Sequence, residues 1–151
     1  MHKENDTNIA RIFSLFDGKK AVCGGTTANI LARELNRQIR VQLKDPDPTV
    51  PPFSEMDGAD LITEGIITMG KVAELLEKGE QPSYTRVNAA TKLVEMILDS
   101  DRIQFVVGTK INEAHQDPNM PVELEIRRNV IKKIAAMLEE KYLKEVHIQF
   151  F

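Results

Sequence analysis

The chain has no tryptophan, two tyrosines and one cysteine. Each scarcity closes off a class of function. So few flat rings supply little for stacking nucleobases, and a net charge of −3 with a pI near 5.7 argues against an extended nucleic-acid surface. A single cysteine rules out an internal disulfide framework and fits a reducing cytoplasm. No apolar run approaches membrane-spanning length, and the opening Met1 to Asp6 is polar, unlike a secretory signal. The expectation is a cytoplasmic protein with neither nucleic acid nor membrane as partner. What remains is ordinary for a globular chain: 42% hydrophobic, 28% charged and 151 residues, one domain by length.

The pattern along the chain alternates strand and helix. Asp6-Thr7 can cap a helix with Ile9, Ile12, Phe13 and Phe16 on its apolar face, stopped at Asp17-Gly18. Lys20 to Cys23 reads as a strand, and Thr27 to Asn36 as a helix burying Ala28, Leu31, Ala32 and Leu35. Ile39, Val41 and Leu43 alternate with polar residues, as on an edge strand. Lys44 to Gly58 carries Pro46, Pro48, Pro51 and Pro52 and reads as an extended loop. Asp60 to Thr63 is a short strand, followed by a helix from about Thr68 to Lys78. Asn88 suits the N-cap of a helix with Leu93, Val94, Ile97 and Leu98 inside. Ile103 to Val107 is the clearest strand, and a polar loop runs from Thr109 to Met120. Pro121 opens the longest helix, with Glu123 and Glu125 early and Lys141 and Lys144 late, matching its dipole. Its core stripe is Ile126, Val130, Ile134, Met137 and Leu138, and Val146 to Phe150 is a final strand. The fold class expected is α/β: a three-layer α/β/α sandwich, Rossmann-like or flavodoxin-like, with a mainly parallel sheet of about five strands.

Lys19 to Ala28 carries the most chemical information. A short apolar run breaks into Gly24-Gly25, and Thr26-Thr27 open a helix. Glycines permit close backbone approach, and the first N–H groups of a helix lack partners and attract anions. Such a turn either holds a phosphate or carboxylate or packs a helix tightly on a sheet.

Three motifs carry a family resemblance: Lys20-Ala21-Val22-Cys23-Gly24-Gly25-Thr26-Thr27-Ala28-Asn29, Asp60-Leu61-Ile62-Thr63-Glu64-Gly65, and Gly108-Thr109-Lys110-Ile111-Asn112-Glu113-Ala114-His115-Gln116-Asp117-Pro118. In this order they resemble the C-terminal region of bacterial stage II sporulation protein E-type (PPM-type) serine/threonine phosphatases, over nearly the whole chain from about Phe16. The resemblance implies a module that accompanies a phosphatase domain of the same protein. A PPM site needs several aspartates around two divalent metals. Asp17-Gly18 and Asp57-Gly58 lack the family's further glycine pattern and read as turns. Neither a catalytic residue nor a metal or cofactor is therefore expected.

Other constellations fall to blander readings. A thiol phosphatase built on Cys23 needs an arginine six positions later, where Asn29 stands, so Cys23 reads as a small residue closing a buried strand. No lysine follows the glycines as in a Walker loop. Asp45 sits where dinucleotide-binding domains place a ribose-binding acid, but an Asp before Pro is common at a strand end.

The loops after parallel strands emerge on one sheet edge, where ligands bind. The site expected there comprises Gly24, Gly25, Thr26, Thr27, Thr63, Glu64, Gly65, Thr109, Lys110, Asn112 and His115, holding a small anion such as phosphate, a carboxylate or a nucleotide. Two alternatives stand beside this regulatory module. One is a structural or dimerisation module, a possible homodimer without a ligand. The other is a small hydrolase using Glu64 or His115 as base.

Overall fold

The computed structural model describes residues 3–43, 47–79, 87–107 and 120–150. In chain order the elements are α1 (Lys3–Leu15), β1 (Ala21–Cys23), α2 (Gly25–Glu34), β2 (Arg40–Val41), β3 (Ser54–Met56), β4 (Ala59–Thr63), α3 (Ile66–Lys78), α4 (Ala89–Leu98), β5 (Arg102–Val107), α5 (Met120–Glu140) and β6 (Glu145–Phe150). The chain is mixed α/β. Among the described residues no helix is long and apolar enough to cross a membrane.

The strands divide into two sheets. The larger runs β1-β4-β3-β2: β1 and β4 are parallel, with Ala21 beside Leu61 and Cys23 beside Thr63, while β3 lies antiparallel to both β4 and β2. The smaller is the parallel pair β5-β6. The expected single, mainly parallel sheet containing both Ala21–Cys23 and Ile103–Val107 is thus corrected to a mixed four-stranded sheet and a separate two-stranded one. β3 explains part of the difference. The proline-rich stretch expected to be wholly loop contains this strand, turned into β4 through the two residues Asp57-Gly58. Gly58 has φ 93°, the left-handed geometry that an Asp-Gly hairpin loop requires.

Alternation along the strands sends neighbours to opposite faces. Val22 and Ile62 pack with Ala10, Ala28, Leu31 and Met56, the side of α1 and α2. Leu61 packs with Val72, Leu76, Ala90, Val94, Ile134 and Leu138, the side of α3, α4 and α5. Leu31, Leu76 and Leu138 are fully enclosed, each stabilising the fold by about 1.5–3 kcal/mol through burial.

Two helix expectations change. Asp6 does not cap α1, which starts at Lys3; it lies inside the helix, 4% exposed, and accepts from the Arg33 guanidinium of α2 at 2.6 Å. The Asp6 partnership, with Glu34 adding to it, pushes the Arg33 pKa up. Ile12 and Phe16, placed on the inner face of α1, are exposed; Ala10 takes the buried position. In α5, Ile131, Ile134, Ala135 and Leu138 form the buried stripe, whereas Ile126, expected in the core, is 41% exposed. α5 is eight residues longer than α3, about 12 Å of helix. The two helices finish together, since Tyr142 Oη and Lys141 Nζ both donate to the Leu76 carbonyl at the end of α3. The surplus length falls at the start of α5, beyond its neighbour.

Candidate functional site

β1 and β4 end side by side, and each turns straight into a helix. The Gly24 N–H donates to the Thr63 carbonyl at 2.8 Å, tying the two strand ends together. Gly24 has φ 142° and ψ 133°, a conformation that side-chain-bearing residues rarely adopt, and no atom lies within 4 Å of where its Cβ would be. The glycine requirement is therefore torsional. Gly25, by contrast, has no left-handed φ; a Cβ there would lie 3.4 Å from Glu64 Oε2. Glu64 reaches from the β4–α3 turn to the first residue of α2.

Both helices start without a side-chain cap. Gly24 is the N-cap of α2 and Gly65 that of α3, and neither start carries a side-chain capping hydrogen bond. The Thr26 and Thr27 hydroxyls find no hydrogen-bond partner among the described residues; Thr26 is exposed and Thr27 half-buried. Thr63 is 1% exposed and Thr68, in the first turn of α3, is fully buried, and the hydroxyl of each lacks a hydrogen bond. Buried hydroxyls without partners are uncommon and costly, about 1–3 kcal/mol each.

Cys23 ends β1 beside Thr63 and is exposed, correcting its expected role as a buried strand end. Protein atoms around the thiol still desolvate it and push its pKa up, and the neighbouring Thr63 hydroxyl pulls the other way. That approach falls short of hydrogen-bond geometry, which leaves Thr63 unpartnered. The residue as a whole is exposed, while desolvation around the sulfur favours the protonated thiol.

Gly24, Gly25, Thr26, Thr27, Thr63, Glu64 and Gly65 are thus brought to one edge by the parallel pairing of β1 with β4. Thr109, Lys110, Asn112 and His115, like Asp45, lie outside the described residues. Thr68 is a residue the sequence reading missed. The sequence pattern locates it only near the start of a helix, and its burial depends on how α3 packs. A cleft of about 280 Å³ opens at the opposite end of the same strands, where Lys19, Asp60, Lys92, Glu95 and Asp99 mix charges. It contains none of the expected site residues, and Lys92 already stands over the Phe53 ring at 4.8 Å. Among the described residues no group of three or more His, Cys, Asp or Glu side chains is placed to hold a metal ion. Comparison with protein-family models, curated proteins and solved structures finds no significant match for the chain.

Proposed function

We propose that the chain is a cytoplasmic regulatory module that binds a small anionic ligand where β1 and β4 end, and that it accompanies a PPM-type phosphatase domain of the same protein. The phosphatase connection rests on the motif resemblance alone. The module's architecture is a three-layer α/β/α sandwich, a reading supported by the apolar clusters that flank both faces of the larger sheet.

The observation that carries the ligand reading is the pairing of two uncapped helix starts with two buried, unpartnered hydroxyls, Thr63 and Thr68. Helix N-termini present free N–H donors and a positive dipole end. An anion with oxygen acceptors satisfies those donors. Glu64 adds a constraint, because its carboxylate already stands near the start of α2. The ligand therefore combines an anionic end with a hydroxyl or amino donor that Glu64 can accept, as hydrogen phosphate does and sulfate does not. No described residue is assigned a catalytic role.

Thermal unfolding with added phosphate, carboxylates and nucleotides tests this reading. A ligand at one hundred times its Kd stabilises by about 2.7 kcal/mol, a clear rise in Tm. Thr27→Val, which keeps the shape and removes one hydroxyl, should rise less. A Tm unmoved by every anion at millimolar concentration would sink the binding reading in favour of a structural module.

A further inference from the structure

Among the described residues, no apolar side chain packs on the outward face of the first half of α5. Val122 is 57% and Ile126 41% exposed, and Asn129, Lys133 and Ala136 continue the same exposed stripe, with Lys133 reaching sideways to Glu77 of α3 at 3.2 Å. Their spacing of four, three, four and three residues is the heptad seam by which one helix meets another. This seam lies opposite the buried stripe Ile131, Ile134 and Leu138, so it is surplus to the chain's own core.

The charges along the helix indicate the occupant. Glu125 and Lys132 are both exposed, lie two turns apart and therefore share one flank of the seam. Neither forms an ion pair among the described residues. When a helix packs antiparallel on its own copy about a two-fold axis, the same flank of each faces the other. Glu125 of one copy then meets Lys132 of the second, and Lys132 meets Glu125. The crossing falls at Asn129, which meets its own copy, and a polar residue so placed fixes register; the other polar residue of the seam, Lys133, is held to the side by Glu77. A parallel pair would instead set Glu125 against the opposite flank. We propose that the outward seam of α5 is an isologous docking surface for a second copy of this chain, the two α5 helices running antiparallel with Asn129 at the two-fold axis. The inference stands independently of the ligand site.

Sedimentation equilibrium of the full 151-residue chain tests it, with circular dichroism and Tm as fold controls. The wild type is expected to dimerise reversibly. Ile126→Asp lies on an exposed position, so it should keep its Tm and become monomeric. Glu125→Lys and Lys132→Glu each convert two attractions into two repulsions and should raise the dimer Kd about tenfold. Combining them restores the pairing with signs exchanged and should return the Kd to within about threefold of the wild type. A wild type monomeric at several hundred micromolar overturns the proposal and leaves the seam to a different protein. So does a dimer indifferent to Ile126→Asp, or a double variant no tighter than the singles.

Discussion

The starts of α4 and of α2 and α3 solve the same problem in opposite ways. Every helix begins with N–H groups that have no intrahelical acceptor. At α4 the chain supplies its own: the Asn88 side chain accepts from the Thr91 N–H at 2.9 Å, and Thr91 Oγ1 accepts from the Asn88 N–H at 2.9 Å. Asn88 also donates to Asp47 across the fold. At α2 and α3 the capping position is glycine, and two threonines nearby are buried with nothing to bond. One helix start is closed by its own side chains. The other two, held together by the β1–β4 pairing, carry no side-chain cap among the described residues. A protein optimised only for stability would have capped all three, and the open pair is the feature on which the proposed ligand site rests.

Substitutions can break or sharpen this contrast, beginning with the backbone. Gly24→Ala forces a side chain into a conformation suited to glycine and should destabilise by about 1–3 kcal/mol, although no atom obstructs the Cβ. Gly25→Ala, with ordinary geometry and a contact only to Glu64, should change the unfolding free energy by less than about 1 kcal/mol. Equal costs in urea unfolding would contradict the torsional account.

Threonine-to-valine changes should then differ in sign between the two kinds of helix start. Thr91→Val dismantles the capping box and is expected to cost about 1 kcal/mol. Thr63→Val removes a buried hydroxyl that bonds to nothing and should be neutral or stabilising by up to about 1 kcal/mol without ligand. A matched pair of denaturation curves decides, and a loss of stability in both variants would remove the distinction.

Glu64→Gln tests the charge at the open edge. Taking one negative charge from beside the start of α2 should tighten sulfate binding about fivefold, and phosphate binding less, because the O–H of phosphate then meets a neutral amide oxygen in place of a charged acceptor. Calorimetric titration giving equal gains for both anions would show that Glu64 acts through charge alone. The smallest effect expected is at Cys23. Its raised pKa keeps the thiol protonated at neutral pH, so alkylation by iodoacetamide should be slower than for an unstructured cysteine, with its pH midpoint above the ordinary thiol value. A midpoint below that value would reverse the assignment of desolvation as the dominant influence.

Much of this contrast was legible in local sequence. Asn88 reads as a cap, and Gly24-Gly25-Thr26-Thr27 as a tight turn into a helix, because both depend on chemistry within a few residues. The Asp57-Gly58 hairpin was equally local, yet the surrounding prolines masked the short strand before it. Readings that depended on distant partners failed. Asp6 is a good capping residue by type, and only its pairing with Arg33 explains why it is buried inside a helix. Ile126 reads as part of the core stripe, but Ile131, Ile134 and Leu138 show that the buried face lies on the other side of α5, and only the packing against α3 and α4 reveals which side that is. The division into two sheets likewise rests on strand order, which no local pattern encodes. At the site, the sequence placed threonines near helix starts, but that two of their hydroxyls are sealed without partners emerges only from packing.

The most direct test of the central claim is an amide ¹H–¹⁵N spectrum of the chain titrated with phosphate. The account predicts saturable shifts at Gly25, Thr26, Ile66 and Ile67, the first residues of the two uncapped helices, while Ala89 and Ala90 at the closed start of α4 stay in place. Shifts confined to Lys19 and Lys92 around the opposite cleft, or no shifts at millimolar phosphate, would contradict it.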